Sequence, residues 1–209
     1  CQARIVAREA LTYCGQHLIE AVFKRLDNQT NITHSHSDGD EVPAGAILAT
    51  LDAHVRALLT GERTALNYAQ RLSGVATQAA RYVAAVSGTG VLLLDTRKTT
   101  PGWRNLEKYA VQCGGARNHR RGLDDMVMIK DNHLAALQGS NRISSAITQC
   151  REAHPDLKIE VEADTPTQAR QAAEAGADII LLDNMSLDEL RESVTLIDGR
   201  SQIEASGGV

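Results

Sequence analysis

Aromatic side chains are scarce in this chain of 209 residues, which contains one Trp, one Phe and four Tyr. This scarcity argues against a β-sandwich, whose inner faces use bulky residues to fill the core. Ala, Leu, Val and Ile are abundant instead, and 43% of all residues are hydrophobic, enough to bury a sizeable core. The composition therefore favours helices packed on parallel strands.

Long hydrophobic runs and an excess of positive charge are also missing. No apolar run approaches the roughly 20 residues of a membrane span, and no basic-then-apolar leader is present. The formal net charge of −4 leaves no electrostatic footprint for nucleic acid. We expect a soluble, cytoplasmic protein with no membrane or nucleic-acid partner.

Cysteine is sparse, and its spacing is uninformative. Cys1, Cys14, Cys113 and Cys150 lie far apart, without a C-x-x-C pair. The sequence thus disfavours a zinc or redox motif and predicts reduced thiols in the core.

What is present is a repeated pattern of strand and helix after Gly90. Spacings of this kind predict βα units and a parallel sheet. The carboxyl ends of parallel strands share one edge, so the polar groups that follow each run should gather at a single mouth. The predicted strands are 91–95, 126–131, 158–163, 178–183 and 203–206. Upstream, the patterns predict a helix over 18–26, a strand over 46–51, and two helices between 55 and 86 with a break near Ser73-Gly74.

Positive charge is concentrated between residues 97 and 133, where eight Lys and Arg face four acids. The segment therefore carries about +4, and the remainder of the chain about −8. Half of these basic residues are expected on solvated helix faces, namely Arg104, Lys108, Arg117 and Arg121. The others adjoin strand ends or Gly-rich turns, where we expect anion binding: Arg97, Lys98, Arg120 and Lys130.

The predicted mouth has a cationic half and an anionic half. The cationic half suits phosphates or carboxylates, which Arg binds with two parallel hydrogen bonds. The anionic half suits Mg²⁺ or sugar hydroxyls. A substrate that combines anionic groups, a metal-bound diphosphate and a sugar would satisfy both halves, as in phosphoribosyl transfer. The alternative is that the two halves form intramolecular salt bridges across the mouth and bind no substrate. The cationic half consists of Arg97, Lys98, His119, Arg120 and Lys130. The anionic half consists of Glu162 and Asp183, with Glu160 as a further candidate.

Eight short blocks, in order along nearly the whole chain, resemble the quinolinate phosphoribosyltransferase family. They are ERTALN (62–67), LSGVAT (72–77), DTRKT (95–99), NHR (118–120), IKDNH (129–133), EVE (160–162), LDN (182–184) and SGG (206–208). The resemblance implies an α/β fold: an N-terminal α/β sandwich of the biotinyl-like hammerhead kind, with a linking helix, over 1–72, and an incomplete parallel α/β barrel of the type II phosphoribosyltransferase kind over 73–209. It also implies a homodimer with shared active sites.

In that family, quinolinate and phosphoribosyl diphosphate yield nicotinate mononucleotide, diphosphate and carbon dioxide with Mg²⁺, on the route to NAD. The resemblance places Arg97, Lys98, His119, Arg120 and Lys130 on the two quinolinate carboxylates. Thr96 would shape the loop, and Arg63 would come from the partner subunit. Glu162 and Asp183 would face the ribose and the Mg²⁺, with Lys98 also expected to be catalytic. Ser206, Gly207 and Gly208 would bind the 5′-phosphate.

The chain departs from the family pattern at both ends, since family members usually carry further residues before Cys1 and after Val209. We therefore expect a piece of a longer protein. Two other hypotheses remain open: a nicotinate phosphoribosyltransferase-like enzyme, whose substrate has one carboxylate, and a non-catalytic homologue that binds anions.

Overall fold

The computed structural model of the protein describes residues 1–139 and 141–208. Ser140 and Val209 lie outside the described residues, so the last position of the predicted 73–209 domain does too. The chain divides into two compact units, Cys1–Arg121 and Gly122–Val209, which we call the N-terminal unit and the C-terminal unit. The boundary expected between residues 72 and 73 stays a prediction.

The N-terminal unit combines short antiparallel strands with helices. In chain order its elements are β1 (Gln2–Val6), β2 (Leu11–Thr12), α1 (Gln16–Leu26), β3 (Asn31–His34), β4 (Glu41–Val42), β5 (Ile47–Asp52), α2 (Val55–Ala85) and α3 (Arg104–Cys113). Strand β5 lies between β1 and β3, while β2 pairs with β4. The predicted strand 46–51 is confirmed as β5, whose Leu48, Ala49 and Leu51 are buried.

Small residues on one face of α2 let α1 pack closely against it. A Cβ added at Gly61 would lie 2.8 Å from the side chains of Phe23 and Leu26, and one at Gly15 would lie 3.0 Å from the Cα of Ala69. Larger side chains would therefore separate the two helices. The buried positions recur every three or four residues, as helical periodicity requires: Ala57, Gly61, Ala65, Ala69, Leu72, Ser73, Ala76 and Ala79.

The predicted break at Ser73-Gly74 is wrong, because α2 runs through both residues without interruption. Ser73 is buried, and its hydroxyl donates to the carbonyl of Cys14 and accepts from the Cys14 amide, each at 3.0 Å. A residue that usually marks a turn serves here to satisfy the backbone of a neighbouring segment.

The predicted strand 91–95 is reduced to one bridge. Leu94 pairs in parallel with Arg117, while Val91 and Leu92 are 62% and 53% exposed. An apolar run alone cannot distinguish a strand from other buried or exposed segments, because strand formation also needs a neighbour along its length. The polar residues that follow Leu94 are nevertheless held in a fixed loop.

The C-terminal unit contains a parallel sheet, as the βα pattern predicted. Its elements are β6 (Val127–Ile129), α4 (Asp131–Ala135), α5 (Arg142–Ala153), β7 (Ile159–Ala163), α6 (Pro166–Glu174), β8 (Ile179–Asp183), α7 (Leu187–Ile197) and β9 (Gln202–Ser206). The strands pair in the order β6-β7-β8-β9, all parallel. The inner strands β7 and β8 bury Ile159, Val161, Ile180 and Leu182, as expected for a sheet covered on both faces.

Local sequence signals fix where the later helices begin. Thr165 accepts a hydrogen bond from the Gln168 amide, and Pro166 occupies the first turn of α6. Ser186 and Glu189 form a reciprocal capping box at the start of α7. The strands therefore end at defined positions, and their carboxyl ends form one edge of the sheet.

The α/β class, with antiparallel sheets in the N-terminal part and a parallel sheet in the C-terminal part, is confirmed. Within residues 1–139 and 141–208, no helix has both the length and the apolar character needed to cross a bilayer.

Candidate active site

Asp95 organises the cationic loop of the N-terminal unit. Its Oδ1 accepts from the Lys108 ammonium at 2.5 Å and from the His119 amide at 2.8 Å. The Lys108 ammonium also donates to the His119 carbonyl at 3.1 Å. Asp95 and Lys108 thus hold the segment containing His119 beside the loop containing Arg97 and Lys98.

The expectation that Lys108 lies on a solvated helix face is wrong. Its side chain is 2% exposed and that of Asp95 is 8% exposed, so the ion pair is largely shielded from water. A buried ammonium is stable only when it is paired and hydrogen-bonded, as it is here. Arg117 and Arg121, by contrast, are exposed as predicted, but neither lies on a helix, so that part of the prediction is wrong.

Arg97 has an unsatisfied donor. Its Nε is buried and has no hydrogen-bond partner within residues 1–139 and 141–208. Buried donors are rarely left without a partner, so this nitrogen favours an anionic ligand. Thr96 accepts from the Lys98 amide at 3.0 Å, which turns the backbone between them and leaves Lys98 exposed.

The far end of the same loop is held by Glu107. Its carboxylate accepts from the Arg71 guanidinium at 2.7 Å and from the Thr100 hydroxyl at 2.8 Å. Burial works to raise the pKa of Glu107, but these hydrogen bonds and the Arg71 charge outweigh it and hold the pKa below its ordinary value. The Arg104 guanidinium donates to the Thr99 hydroxyl of this loop at 3.4 Å. Arg104 therefore contacts the loop and is not only solvated, as had been expected.

Polar residues follow the strands of the C-terminal unit at their shared carboxyl edge. Lys130 follows β6, and its ammonium donates to Oε2 of Glu162 on β7 at 2.5 Å. Lys130 also precedes α4, where its amide donates to Nδ1 of His133 at 3.0 Å. His133 thus caps the start of α4, and Lys130 carries positive charge beside the acidic residues of this edge.

Three carboxylates gather at this edge and could hold a divalent cation. One oxygen each from Glu162, Asp164 and Asp183 lies within 4.8 Å of the others. Burial raises the pKa of Asp164, and repulsion from Glu162, Asp131 and Asp183 raises it further. Oxygen ligands with concentrated negative charge suit Mg²⁺, so these residues fit the expected ion.

Asp183 links the carboxyl ends of β8 and β9. The Ser206 hydroxyl donates to Oδ1 of Asp183 at 2.5 Å, and the Asn184 side chain donates to Oδ2 at 2.8 Å. Gly207 and Gly208 have φ of 80° and 70°, in the left-handed region. Their backbone conformation favours glycine, and without a side chain their N–H groups can be approached closely by a phosphate.

The remaining predicted residues also have defined positions. Arg63 lies on α2 with a largely exposed side chain, 3.8 Å from Glu62. His119 and Arg120 are partly buried in the N-terminal unit. Glu160 is fully buried within β7, where it lies away from solvent. Their assigned roles stay predictions.

The sequence reasoning missed Asp164 and the structural role of Lys108. The signal for Asp164 was available: acidic residues at 160, 162 and 164 alternate along β7 and past its end, so they lie on one side of the strand. No comparable local signal identifies Lys108, since its partner Asp95 comes from a separate segment.

Comparison with known proteins shows close relatives. Residues 1–73 match the family described as quinolinate phosphoribosyl transferase, N-terminal domain, and residues 75–209 match its C-terminal domain. A Bacillus subtilis protein, named probable nicotinate-nucleotide pyrophosphorylase (carboxylating), is 44% identical; the match covers all of this chain and 72% of that protein. The human nicotinate-nucleotide pyrophosphorylase (carboxylating) is 39% identical, with all of this chain and 70% of the human protein covered.

A solved structure agrees with these sequence matches. The nicotinate-nucleotide pyrophosphorylase from Francisella tularensis superposes with a TM-score of 0.95 at 40% identity, and the match covers all of this chain and 73% of that one. At this identity the likeness extends beyond a shared fold.

Proposed function

The chain belongs to the quinolinate phosphoribosyl transferase family, and on that premise we propose that it transfers phosphoribosyl from phosphoribosyl diphosphate to quinolinate, with decarboxylation. The products are nicotinate mononucleotide, diphosphate and carbon dioxide. The observation that carries the proposal is that both chemical halves are present: a cationic loop with a buried, unsatisfied Arg97 nitrogen, and a carboxylate cluster at the carboxyl edge of the parallel sheet.

Quinolinate has two carboxylates on adjacent ring positions, and it needs more than one cation. We assign these carboxylates to Arg97, Lys98, His119, Arg120 and Lys130. The arginine guanidinium groups suit bidentate contacts, while the lysines supply point charges. The same set explains selectivity, because a pyridine with one carboxylate would leave part of the positive charge without a partner.

Glu162 and Asp183 are assigned to the sugar and the metal. As diphosphate departs, positive charge develops at the anomeric carbon, and nearby carboxylates stabilise it electrostatically. When bound at Glu162, Asp164 and Asp183, Mg²⁺ would neutralise charge on the diphosphate leaving group. Ser206, Gly207 and Gly208 are assigned to the 5′-phosphate.

No covalent enzyme nucleophile is required. The pyridine nitrogen attacks the anomeric carbon and becomes positively charged. The electrons of the bond to the 2-carboxylate then flow into the ring as carbon dioxide leaves, and a proton takes the vacated carbon position. Lys98, exposed on the loop, is assigned a catalytic role at this end of the substrate.

The proposal extends to the oligomeric state and the cellular location of the protein. We propose a homodimer in which Arg63 reaches the site of the other subunit, supported by the largely exposed position of this side chain on α2. A cytoplasmic location is supported by the free state of Cys1, Cys14, Cys113 and Cys150, because reducing compartments preserve thiols. The predicted domains 1–72 and 73–209 remain part of the same proposal.

The proposed function is tested by incubating the chain with quinolinate, phosphoribosyl diphosphate and Mg²⁺. Nicotinate mononucleotide and carbon dioxide should appear in equal amounts. Nicotinate in place of quinolinate should give no comparable rate. Absence of product together with absence of quinolinate binding by calorimetry would refute the proposal, and equal turnover of both pyridines would favour the nicotinate-specific alternative.

Arg120 offers a sharper test of the assigned roles. Arg120→Ala should weaken quinolinate binding by roughly a hundredfold, the loss of a charge-assisted contact, and change phosphoribosyl diphosphate binding little. Arg117→Ala is the matched control, because Arg117 is exposed and has no assigned role. Equal losses for both substrates in Arg120→Ala would remove this residue from the quinolinate site.

A further inference from the structure

Two cysteines that are distant in sequence lie together in the N-terminal unit. The Sγ atoms of Cys14 and Cys113 and one carboxylate oxygen of Asp38 all lie within 4.8 Å of one another. Cys14 precedes α1, and Cys113 is the last residue of α3. Both thiols are free.

The packing around the two sulfur atoms is tight on both sides. Ser73 holds the backbone of Cys14 through two hydrogen bonds of 3.0 Å. Next to Cys113, a Cβ added at Gly114 would lie 2.4 Å from the Ala76 carbonyl oxygen, so α3 ends directly against α2. The sulfur atoms are therefore neighbours because both segments are anchored to the same helix.

The two thiols differ in acidity and exposure. The Cys14 thiol donates to the Cys113 sulfur; this hydrogen bond and burial raise the pKa of Cys14. The same hydrogen bond holds the pKa of Cys113 below its ordinary value against the opposing effects of burial and Asp38. Cys113 is partly exposed, whereas Cys14 is fully buried. Since the thiolate is the reactive form, Cys113 should be the first of the two to react with an oxidant.

Asp38 already has hydrogen bonds to both oxygens, which favours sulfur chemistry over a metal site. Its Oδ1 accepts from the amides of Gly15 and Gln16 at 2.8 and 3.0 Å, at the start of α1. Its Oδ2 accepts from the Tyr109 hydroxyl at 2.9 Å. A metal would have to displace these donors, whereas a disulfide uses the two sulfur atoms alone.

We propose that Cys14 and Cys113 form a reversible disulfide when the protein meets a peroxide. The Cys113 thiolate attacks one peroxide oxygen, the O–O bond breaks, and Cys113 becomes a sulfenic acid. The Cys14 sulfur then attacks the Cys113 sulfur, an S–S bond forms, and the hydroxyl leaves with the Cys14 proton as water. Two thiols and hydrogen peroxide thus give one disulfide and two waters, and a dithiol reductant reverses the change.

The experiment treats the folded chain with hydrogen peroxide, blocks remaining thiols and maps the digest by mass spectrometry without reduction. A cross-linked peptide pair containing Cys14 and Cys113, lighter by two hydrogens and abolished by dithiothreitol, is the expected result. Cys1 and Cys150 serve as internal controls in the same digest. If those two are oxidised while Cys14 and Cys113 stay as separate thiols, the proposal is overturned.

Two variants assign the order of events. In Cys14→Ser the Cys113 sulfenic acid has no resolving partner, so its labelling by dimedone should rise roughly tenfold. In Cys113→Ser the buried Cys14 should remain unmodified. If either variant fails to fold, the digest of the unmodified chain decides alone. Stoichiometric Zn²⁺ binding by the reduced chain, lost in both variants, would overturn the disulfide in favour of a metal site. None of these measurements depends on the proposed transferase activity.

Discussion

Replacing Lys108 by Met tests whether the buried ion pair with Asp95 holds the cationic loop in place. Met keeps most of the side-chain volume and removes the charge. The Asp95 carboxylate, 8% exposed, would then remain buried with its hydrogen bond from the His119 amide and without its ammonium partner. Breaking a buried pair from one side costs about 3–5 kcal/mol, so the free energy of unfolding should fall by about that amount.

The assay is urea unfolding at neutral pH, with Arg191→Met as the matched control. Arg191 pairs with Asp188 at 2.8 Å, but its side chain is 74% exposed, and such pairs contribute about 0.2–1 kcal/mol. Adding Asp95→Asn to Lys108→Met should recover part of the loss, because the uncompensated buried charge is then gone. A loss in Lys108→Met no larger than in Arg191→Met would refute the reasoning.

Three further predictions concern the pH dependence of stability, the glycine loop and the carboxylate cluster. The Arg71 hydrogen bond and charge hold the pKa of Glu107 below its ordinary value despite burial. The stabilisation from Glu107 should therefore be complete above about pH 4.3 and be lost as the pH falls through the lower folded pKa. Glu107→Gln should reduce the pH dependence of the free energy of unfolding in that range, and an unchanged pH dependence would contradict this. A Cβ on Gly207 would lie 2.1 Å from the Asn184 side chain, while a Cβ on Gly208 would meet open space. Gly208→Ala should cost the roughly 1–2 kcal/mol expected for left-handed strain, and Gly207→Ala should cost more. Equal decreases in the free energy of unfolding, measured with urea, would exclude the steric contribution. Asp164→Asn should stabilise the metal-free chain by relieving repulsion and weaken Mg²⁺ binding by about tenfold in calorimetry, and the idea fails if Mg²⁺ affinity is unchanged.

The parallel sheet could be predicted from sequence because its signals are local. Strands β7 and β8 are short runs rich in apolar residues, and each is followed by a helix whose start is marked by a capping residue, Thr165 or Ser186. The polar residues after those runs, including Lys130 and Asp183, follow once the strands are known to be parallel. These features need no information from distant parts of the chain.

The errors arose where distant segments decide the outcome. Lys108 has the pattern of a surface residue, and its burial depends on partners from separate segments, Asp95 and the His119 carbonyl. Ser73 resembles a helix breaker until the Cys14 backbone is placed beside it. Val91 belongs to an apolar run that finds no partner strand among the described residues. Tertiary contacts overrode local preference at Lys108 and Ser73, whereas the run containing Val91 lacks, in the part of the chain that the structure describes, the neighbouring strand that it would need.

The small-residue face of α2 has a practical consequence for handling the protein. The segment of α1 and Gly15 approaches the backbone of α2 closely near Gly61 and Ala69. A fluorophore or spin label attached to that face would therefore separate the two helices. The solvent side of the same helix tolerates attachment far better, and Glu62 is an exposed position suited to a probe. Such a probe would test the proposed assembly through Arg63, one residue away, without disturbing the helix pair.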